Sequence, residues 1–256
     1  MSDSKPVNSI LISQPEPQDG NSPYHRLADK YEITIDFRKF IQVEGVSLNE
    51  FRKQGLNPLD FTGIIFTSRV AVDHFFGLLN EMRVEMPTDT KYFCVSESTA
   101  KYLQKYIVIR KRKLFVGEKR TRDLLPFIQK HKKEKYLFPC NEVHRHQLPE
   151  LMREKKISVE ESPLYRTVDA DLSDLENIFY DMICFFSPSG ITSLFNNFPN
   201  FKQNDTRIAV FGKSTAQEAE KANLRLDVVA PQPELPSMTA AIEAYIKSIG
   251  QKAPGL

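Results

Sequence analysis

Hydroxyl side chains follow four apolar runs of this chain, each directly ahead of a predicted helix. They are Thr67 and Ser68, Ser96 with Ser98 and Thr99, Ser187 with Ser189, and Ser214 with Thr215. A Ser or Thr at such a position caps the helix by accepting a hydrogen bond from a free N–H of the first turn. Free N–H groups and the helix dipole also attract anions, so the same residues predict a site for carboxylates or phosphates. The sequence alone leaves both interpretations open.

Other patterns that could do chemistry are incomplete. Gly212-Lys213-Ser214-Thr215 imitates the end of a phosphate-binding P-loop, but Arg207 stands where the motif needs its first glycine, so nucleotide hydrolysis is not expected. Cys140, His144 and His146 lack a Cys-x-x-Cys pair and a second group of ligands, which favours surface histidines over a metal site. No pattern pairs a Ser or Cys nucleophile with a His and an acid.

Tyr165 ends a long extended segment, in Pro163-Leu164-Tyr165-Arg166-Thr167. A phenol at this place can donate a hydrogen bond to a departing or developing oxygen. The alternative is a packing tyrosine whose hydroxyl group meets water. The sequence singles out Tyr165 without deciding between these roles.

The bulk composition is that of an ordinary globular protein. Of the 256 residues, 41% are hydrophobic and 27% are charged, and no apolar run is long enough to span a membrane. The three cysteines predict buried thiols rather than disulfides, because two of them lie in apolar runs. The N-terminus has no signal-peptide pattern, so a cytoplasmic protein without a membrane partner is expected.

The net charge of +2 is unevenly distributed. Thirteen Lys or Arg residues and three acids lie between Lys101 and Lys135. Such a stretch can bind nucleic acid or an anionic small molecule, or it can be a solvated surface. Aromatic residues interleave poorly with it and no nucleic-acid-binding signature is present, so no nucleic-acid partner is expected.

The chain contains a diverged copy of itself, which predicts how these residues are positioned. Residues 64–72 reappear about 120 residues later as 183–191, and residues 93–101 return as 209–217. Each copy predicts a buried strand, a turn bearing Ser or Thr, and then a helix. Strands that alternate with helices predict parallel sheets with helices on both faces. We therefore expect an α/β fold of two similar lobes, with a ligand in the gap between them.

Three local patterns predict where elements begin and end. Ser47-Leu48-Asn49-Glu50 has the form of a capping box with Ser47 as the cap. Pro236 is expected in the first turn of the last helix. Residues 31–42 predict one long extended segment.

Taken together, these units resemble the uroporphyrinogen-III synthase family from about residue 10 to residue 249. The resemblance lies in five segments, at residues 66–72, 137–148, 164–167, 186–190 and 212–216. The last is similar to the family's Ile-Gly-x-x-Thr-Ala pattern, with Thr215 at the Thr, and residues 164–167 are similar to its Val-Tyr-x-Thr pattern. The chain departs at Ser13-Gln14-Pro15, where many members have Thr-Arg-Pro, and at Asn141, where a Gly is usual.

The resemblance implies that the chain crosses twice between lobes, so that each lobe is assembled from both copies. One lobe is then residues 1–38 plus 168–256 and the other is 46–162, with extended connectors at 39–45 and 163–167. The connectors are expected to act as a hinge that opens and closes around a ligand. A monomer is expected.

The activity implied by the resemblance is cyclisation of hydroxymethylbilane to uroporphyrinogen III, a carbon–oxygen lyase reaction of haem biosynthesis that inverts ring D and releases water. No cofactor and no metal are expected. The substrate's carboxylates suit helix N-termini and hydroxyl groups. The substrate-binding residues expected are Thr67, Ser68, Ser96, Ser98, Ser187, Ser189, Lys213, Ser214 and Thr215, and the catalytic residue is Tyr165, which assists departure of the hydroxyl.

Two further interpretations accompany this one. A transient contact with hydroxymethylbilane synthase is compatible with the resemblance, because that enzyme makes the expected substrate. The alternative to an enzyme is a non-catalytic two-lobed module that binds an anionic metabolite.

Overall fold

The computed structural model describes residues 5–18, 22–142 and 147–254. The chain divides into two compact units: the first is Met1–Gln42 with Val168–Leu256, and the second is Val43–Thr167. Each unit is an α/β structure with its own sheet.

The strands and helices alternate along most of the chain. The strands are β1 (Ser9–Ile12), β2 (Thr34–Phe37), β3 (Ile41–Gly45), β4 (Gly63–Phe66), β5 (Lys91–Cys94), β6 (Leu114–Val116), β7 (Tyr136–Asn141), β8 (Val159–Asp169), β9 (Met182–Phe185), β10 (Arg207–Phe211) and β11 (Leu226–Ala230). The α-helices are α1 (Pro23–Tyr31), α2 (Leu48–Lys53), α3 (Arg69–Met82), α4 (Glu97–Leu103), α5 (Leu125–Lys130), α6 (Gln147–Glu154), α7 (Pro188–Asn197), α8 (Lys213–Lys221) and α9 (Met238–Ser248). Short 3-10 helices lie at Pro58–Asp60, Lys111–Lys113, Thr121–Leu124 and Ser173–Leu175.

The two sheets are largely parallel. The first unit has the strand order β11-β10-β9-β1-β2, and the other sheet has the order β3-β8-β7-β4-β5-β6. All neighbouring strands of the first sheet are paired in parallel. In the second sheet the four neighbouring pairs among β4, β5, β6, β7 and β8 are also parallel. β3 is the exception. The N–H of Val46 donates to the carbonyl of Leu164, and the N–H of Ala170 to that of Phe40, which is an antiparallel pairing with β8.

Both faces of each sheet are covered by helices. In the first unit, α1 and α9 pack on one face and α7 and α8 on the other. In the second unit, α2, α3 and α4 cover one face, while α5 and α6 cover the other. Strands β4 and β9 are accordingly buried along their whole length, as expected for strands with two covered faces. The predicted α/β class with parallel sheets and helices on both faces is confirmed.

The three cysteines lie in these sheets. Cys94, Cys140 and Cys184 are free and buried, which confirms the prediction of buried thiols. Burial raises the pKa of the Cys140 thiol to about 12, so it stays protonated at neutral pH.

The local predictions have mixed outcomes. Ser47 and Glu50 form the expected capping box at the start of α2. The predicted start of the last helix at Pro236 is wrong, because Ser237 accepts the N–H of Ala240 and α9 begins at Met238. The single extended segment predicted for residues 31–42 is also wrong. The segment contains two strands instead: β2 ends at Phe37 and pairs with β1, and β3 begins at Ile41 and pairs with β8.

Candidate functional site

The predicted hydroxyl groups of the second unit lie at one edge of its sheet. β4 and β5 are paired in parallel with Phe66 opposite Cys94, so the turns that follow them are neighbours. Ser68 caps α3, its Oγ accepting the N–H of Ala71 at 3.0 Å. Ser96 caps α4 in the same way, accepting the N–H of Thr99 at 3.4 Å. These two predicted caps are confirmed.

The hydroxyl groups of these two turns differ in their contacts and in their exposure. The Oγ of Ser96 lies 3.0 Å from the Oγ of Ser98, so the two expected hydroxyl groups of this turn are bonded to each other. Ser98 is exposed, whereas Thr67 and Ser68 are half-buried. This edge of the sheet therefore carries both an exposed and two half-buried hydroxyl side chains.

In the first unit, Ser187 is the predicted cap that the structure confirms. It follows β9, and its Oγ accepts the N–H of Gly190 at 3.2 Å at the start of α7. Ser189 is exposed in the first turn of the same helix. A Cβ on Gly190 would lie 3.7 Å from the Oγ of both Ser13 and Ser187. Gly190 thus packs beside two hydroxyl groups and the ring of Phe185.

Ser13 is a site candidate that the sequence prediction missed. It follows β1, and its backbone N–H donates to the carbonyl of Cys184 at 3.0 Å, which places it next to the end of β9. A hydroxyl directly after the apolar run Ile10–Ile12 was the available signal. The run leads into Gln14-Pro15 rather than a helical pattern, so the sequence does not predict a helix cap at Ser13.

The fourth turn differs from the prediction. Neither Ser214 nor Thr215 caps α8, because Gly212 occupies the N-cap position with a φ of 93° and no side-chain oxygen. This left-handed backbone favours glycine. Lys213 and Ser214 are exposed in the first turn, and Thr215 is 1% exposed. The start of α8 therefore has first-turn N–H groups without a side-chain cap, and a cationic side chain beside them.

The basic stretch is split between the two edges of the second sheet. Lys111–Lys113 precedes β6, and the ammonium of Lys113 pairs with Asp89, so this part lies at the amino end of the strand. Lys119 and Arg120 follow β6, whose end is bonded to β5 through the N–H of Gly117 and the carbonyl of Cys94. Lys119 and Arg120 therefore lie at the edge that carries Ser96, whereas Lys135, which directly precedes β7, lies at the opposite edge with Lys111–Lys113.

Tyr165 lies beside the start of α3. Its phenolic oxygen is 3.3 Å from the Oγ of Ser68, and its ring stacks on the imidazole of His74 with centroids 5.3 Å apart and planes 18° from parallel. The residue is 8% exposed. Burial raises the pKa of the Tyr165 phenol above its ordinary value, although the Ser68 contact works against this. The phenol is therefore a protonated hydrogen-bond donor at neutral pH.

We expect Tyr165 to ionise above the ordinary tyrosine range near pH 10. Desolvation disfavours the phenolate, so any step that needs the phenol proton should show no alkaline loss through neutral pH. The measurement is the phenolate absorbance on titration, wild type minus Tyr165→Phe. A transition in that difference at or below the ordinary tyrosine value would contradict the assignment.

The charged neighbour of Tyr165 is already paired. The guanidinium of Arg166 donates to the carboxylate of Glu50 and lies 3.7 Å from that of Glu142. Hydrogen bonds from Ser47 and Arg166 lower the pKa of Glu50 to about 2. Because the Arg166 guanidinium is paired with these two carboxylates, it links β8 to the start of α2.

The described part of the chain contains no group of side chains arranged to hold a metal ion. Cys140 is buried in β7, and His144 and His146 lie outside the described residues, so the prediction of surface histidines there stays a prediction. Across residues 5–18, 22–142 and 147–254, no three His, Cys, Asp or Glu side chains are grouped to hold a metal ion. In the same ranges no helix is long and apolar enough to cross a bilayer.

Comparison with known proteins finds uroporphyrinogen-III synthases among the relatives of this chain. A uroporphyrinogen-III synthase of Chlorobaculum parvum is 24% identical over 257 residues, covering 94% of this chain and 100% of that protein. A uroporphyrinogen-III synthase of Saccharomyces cerevisiae is 28% identical over 123 residues. That match covers 43% of this chain and 45% of the yeast protein, less than half of its length.

The fold is similar to that of a solved relative, uroporphyrinogen-III synthetase from Helicobacter pylori. The TM-score is 0.60 at 17% sequence identity, with 94% of this chain and 100% of that chain covered. The family model described as uroporphyrinogen-III synthase HemD matches residues 25–240. This match spans most of the chain and includes the four turns that carry Ser68, Ser96, Ser187 and Ser214. The chain belongs to the uroporphyrinogen-III synthase family.

Proposed function

We propose that this protein cyclises hydroxymethylbilane to uroporphyrinogen III, with inversion of ring D and loss of water. The observation that carries the proposal is the family match across residues 25–240. The helix starts at the carboxyl edge of each sheet support it, because they offer N–H and hydroxyl groups to a substrate rich in carboxylates.

The reaction depends more on positioning than on a strong acid or base. A pyrrole nitrogen lone pair expels the hydroxyl group, which leaves as water after gaining a proton, and an azafulvenium electrophile remains. Free in solution, the chain end closes on it to give the symmetrical isomer I. The enzyme instead directs the substituted carbon of ring D to form the new bond, which gives a spiro intermediate. The bond from that carbon to the bridge carbon of ring C then breaks, and the released bridge carbon bonds to the free α-carbon of ring D. That α-carbon loses its proton, which leaves ring D inverted.

Tyr165 assists the first step by donating a hydrogen bond to the departing hydroxyl. The Oγ of Ser68 already accepts the N–H of Ala71, so the Ser68 proton is free to point at the phenolic oxygen 3.3 Å away. In that arrangement the phenol keeps its own proton for the substrate. The raised pKa of Tyr165 supports this role, because the group stays protonated at neutral pH.

The carboxylates bind at the helix starts in both units. The residues proposed for side-chain contact are Thr67, Ser68, Ser96, Ser98, Ser187, Ser189, Lys213 and Ser214. Thr215 has a buried side chain, so we assign it a contact through its backbone N–H in the first turn of α8.

Replacing Lys213 by Glu is expected to raise KM for hydroxymethylbilane about tenfold, with kcat nearly unchanged. The change puts a negative charge beside the uncapped start of α8, where a substrate carboxylate is proposed to bind. Lys221→Glu is the matched control, since it makes the same charge change at the other end of the same helix. Steady-state kinetics on both variants test this, and an equal rise in KM for both would contradict a contact at Lys213.

The function is tested by supplying porphobilinogen and hydroxymethylbilane synthase with and without this protein. Predominant isomer III in the presence of the protein alone supports the proposal. Isomer I in both reactions, with folded protein that still binds the substrate, would favour the non-catalytic binding module instead.

A further inference from the structure

The phenol of Tyr165 is held from one helix at two points. At the start of α3, the Oγ of Ser68 lies 3.3 Å from the phenolic oxygen. Further along the same helix, the imidazole of His74 stacks on the phenol ring at a centroid distance of 5.3 Å. Ser68 thus contacts the phenolic oxygen, and His74 contacts the face of the ring.

Gly45 provides the space for this stack. Antiparallel pairing of β3 with β8, through the N–H of Val46 and the carbonyl of Leu164, places Gly45 opposite Tyr165. A Cβ on Gly45 would lie 2.9 Å from the Nδ1 of His74, closer than real Cβ contacts come. The imidazole thus lies over both strands at a place where a larger residue in β3 would displace it.

We propose that His74 is a positioning residue for the reaction, which directs the phenolic hydroxyl of Tyr165 toward the substrate by fixing the plane of its ring. The inference rests on the proposed function, in which that hydroxyl assists departure of the leaving group. Two flat rings at 18° restrict rotation of the phenol, and a hydrogen bond to a leaving group needs its donor within a few tenths of an ångström. His74 itself supplies no proton in this scheme.

The test compares His74→Leu, which removes the ring, with His74→Phe, which keeps a flat ring of similar size. We expect His74→Leu to lower kcat about tenfold with KM unchanged, because in this scheme His74 acts on the reaction only through Tyr165. His74→Phe is expected to restore kcat to within about threefold of the wild type. A kcat that stays low in His74→Phe would overturn the ring-stacking role.

A double-variant cycle checks that His74 acts through Tyr165. Adding His74→Leu to Tyr165→Phe should cause no further loss of kcat, since the phenolic hydroxyl that His74 directs is already gone. A further tenfold loss in the double variant would show that His74 acts by another route and would overturn the proposal.

An NMR readout separates this inference from the proposed function. With ring-labelled tyrosine, the Tyr165 resonance is assigned by its loss in Tyr165→Phe. We expect its chemical shift to change in His74→Leu and to return toward the wild-type value in His74→Phe, because the ring current of a stacked ring changes the local magnetic field. A wild type that forms no isomer III would remove the proposed function, yet the resonance would still report the stack. A resonance that shifts while turnover stays at the wild-type rate would overturn the positioning role alone. If His74→Leu does not fold, His74→Ala replaces it.

Discussion

Tyr165→Phe is expected to lower kcat for formation of uroporphyrinogen III about 100-fold, with KM within about threefold of the wild type. The substitution removes only the phenolic O–H. The ring remains to stack on His74, and the hydroxyl of Ser68 still caps α3. The loss should therefore fall on the step in which the leaving hydroxyl is assisted and not on binding of the substrate.

Tyr180→Phe is the matched control for this variant. Tyr180 is also buried, at 7% exposure, and its hydroxyl donates to Asp36 at 3.0 Å in the first unit. Removing that bond should cost about 1 kcal/mol of unfolding free energy and leave kcat unchanged. Wild-type turnover by Tyr165→Phe would remove the phenol from the mechanism, whatever the control shows.

Phe66→Ala is expected to lower the free energy of unfolding by about 3–5 kcal/mol. Phe66 ends β4 and is 0% exposed, with its ring centroid 5.5 Å from Phe75 and 6.4 Å from Tyr92. Truncation leaves a cavity against α3, the helix whose start carries Thr67 and Ser68. A fall in activity should accompany the loss of stability, because the same strand end positions the site.

Urea unfolding followed by circular dichroism measures this effect. Phe179→Ala is the matched control, because the same ring is removed at a position that is 60% exposed. We expect that variant to stay within about 0.5 kcal/mol of the wild type. Equal losses in the two variants would contradict the assignment of Phe66 to the core of the second unit.

The repeat pattern predicted the fold because each copy contains local signals that agree with one another. The apolar runs ending at Phe66 and Phe185 are strands with two covered faces, and the serines that follow them cap helices. Strand period and cap chemistry act over a few residues, so a sequence pattern contains them. The caps at Ser68 and Ser187 were predictable for this reason.

The start of α8 shows where such local reasoning fails. Ser214 and Thr215 have the right residue types for a cap, yet Gly212 takes the position because its φ of 93° is open to glycine. The helix consequently begins at Lys213, and Thr215 turns into the core. Residue type alone does not fix the register of a helix start within one or two positions.

The contacts of Tyr165 were beyond the sequence for a different reason. Ser68 and His74 lie about 90 residues or more from Tyr165 in the chain, and Gly45 is about 120 residues away. Their meeting depends on the pairing of β3 with β8 and on the packing of α3 over that pair. No periodicity or motif specifies such a pairing. The sequence therefore marked Tyr165 as a candidate but did not find its neighbours.

The isomer ratio of the product is the most direct test of the central claim. Porphobilinogen and hydroxymethylbilane synthase generate the substrate in place, and oxidation followed by chromatography resolves the porphyrin isomers. We predict predominant isomer III with the native protein and isomer I with the heat-unfolded protein or with none. Isomer I in all three reactions, with a native sample shown to be folded by circular dichroism, would contradict the assignment of synthase activity to this chain.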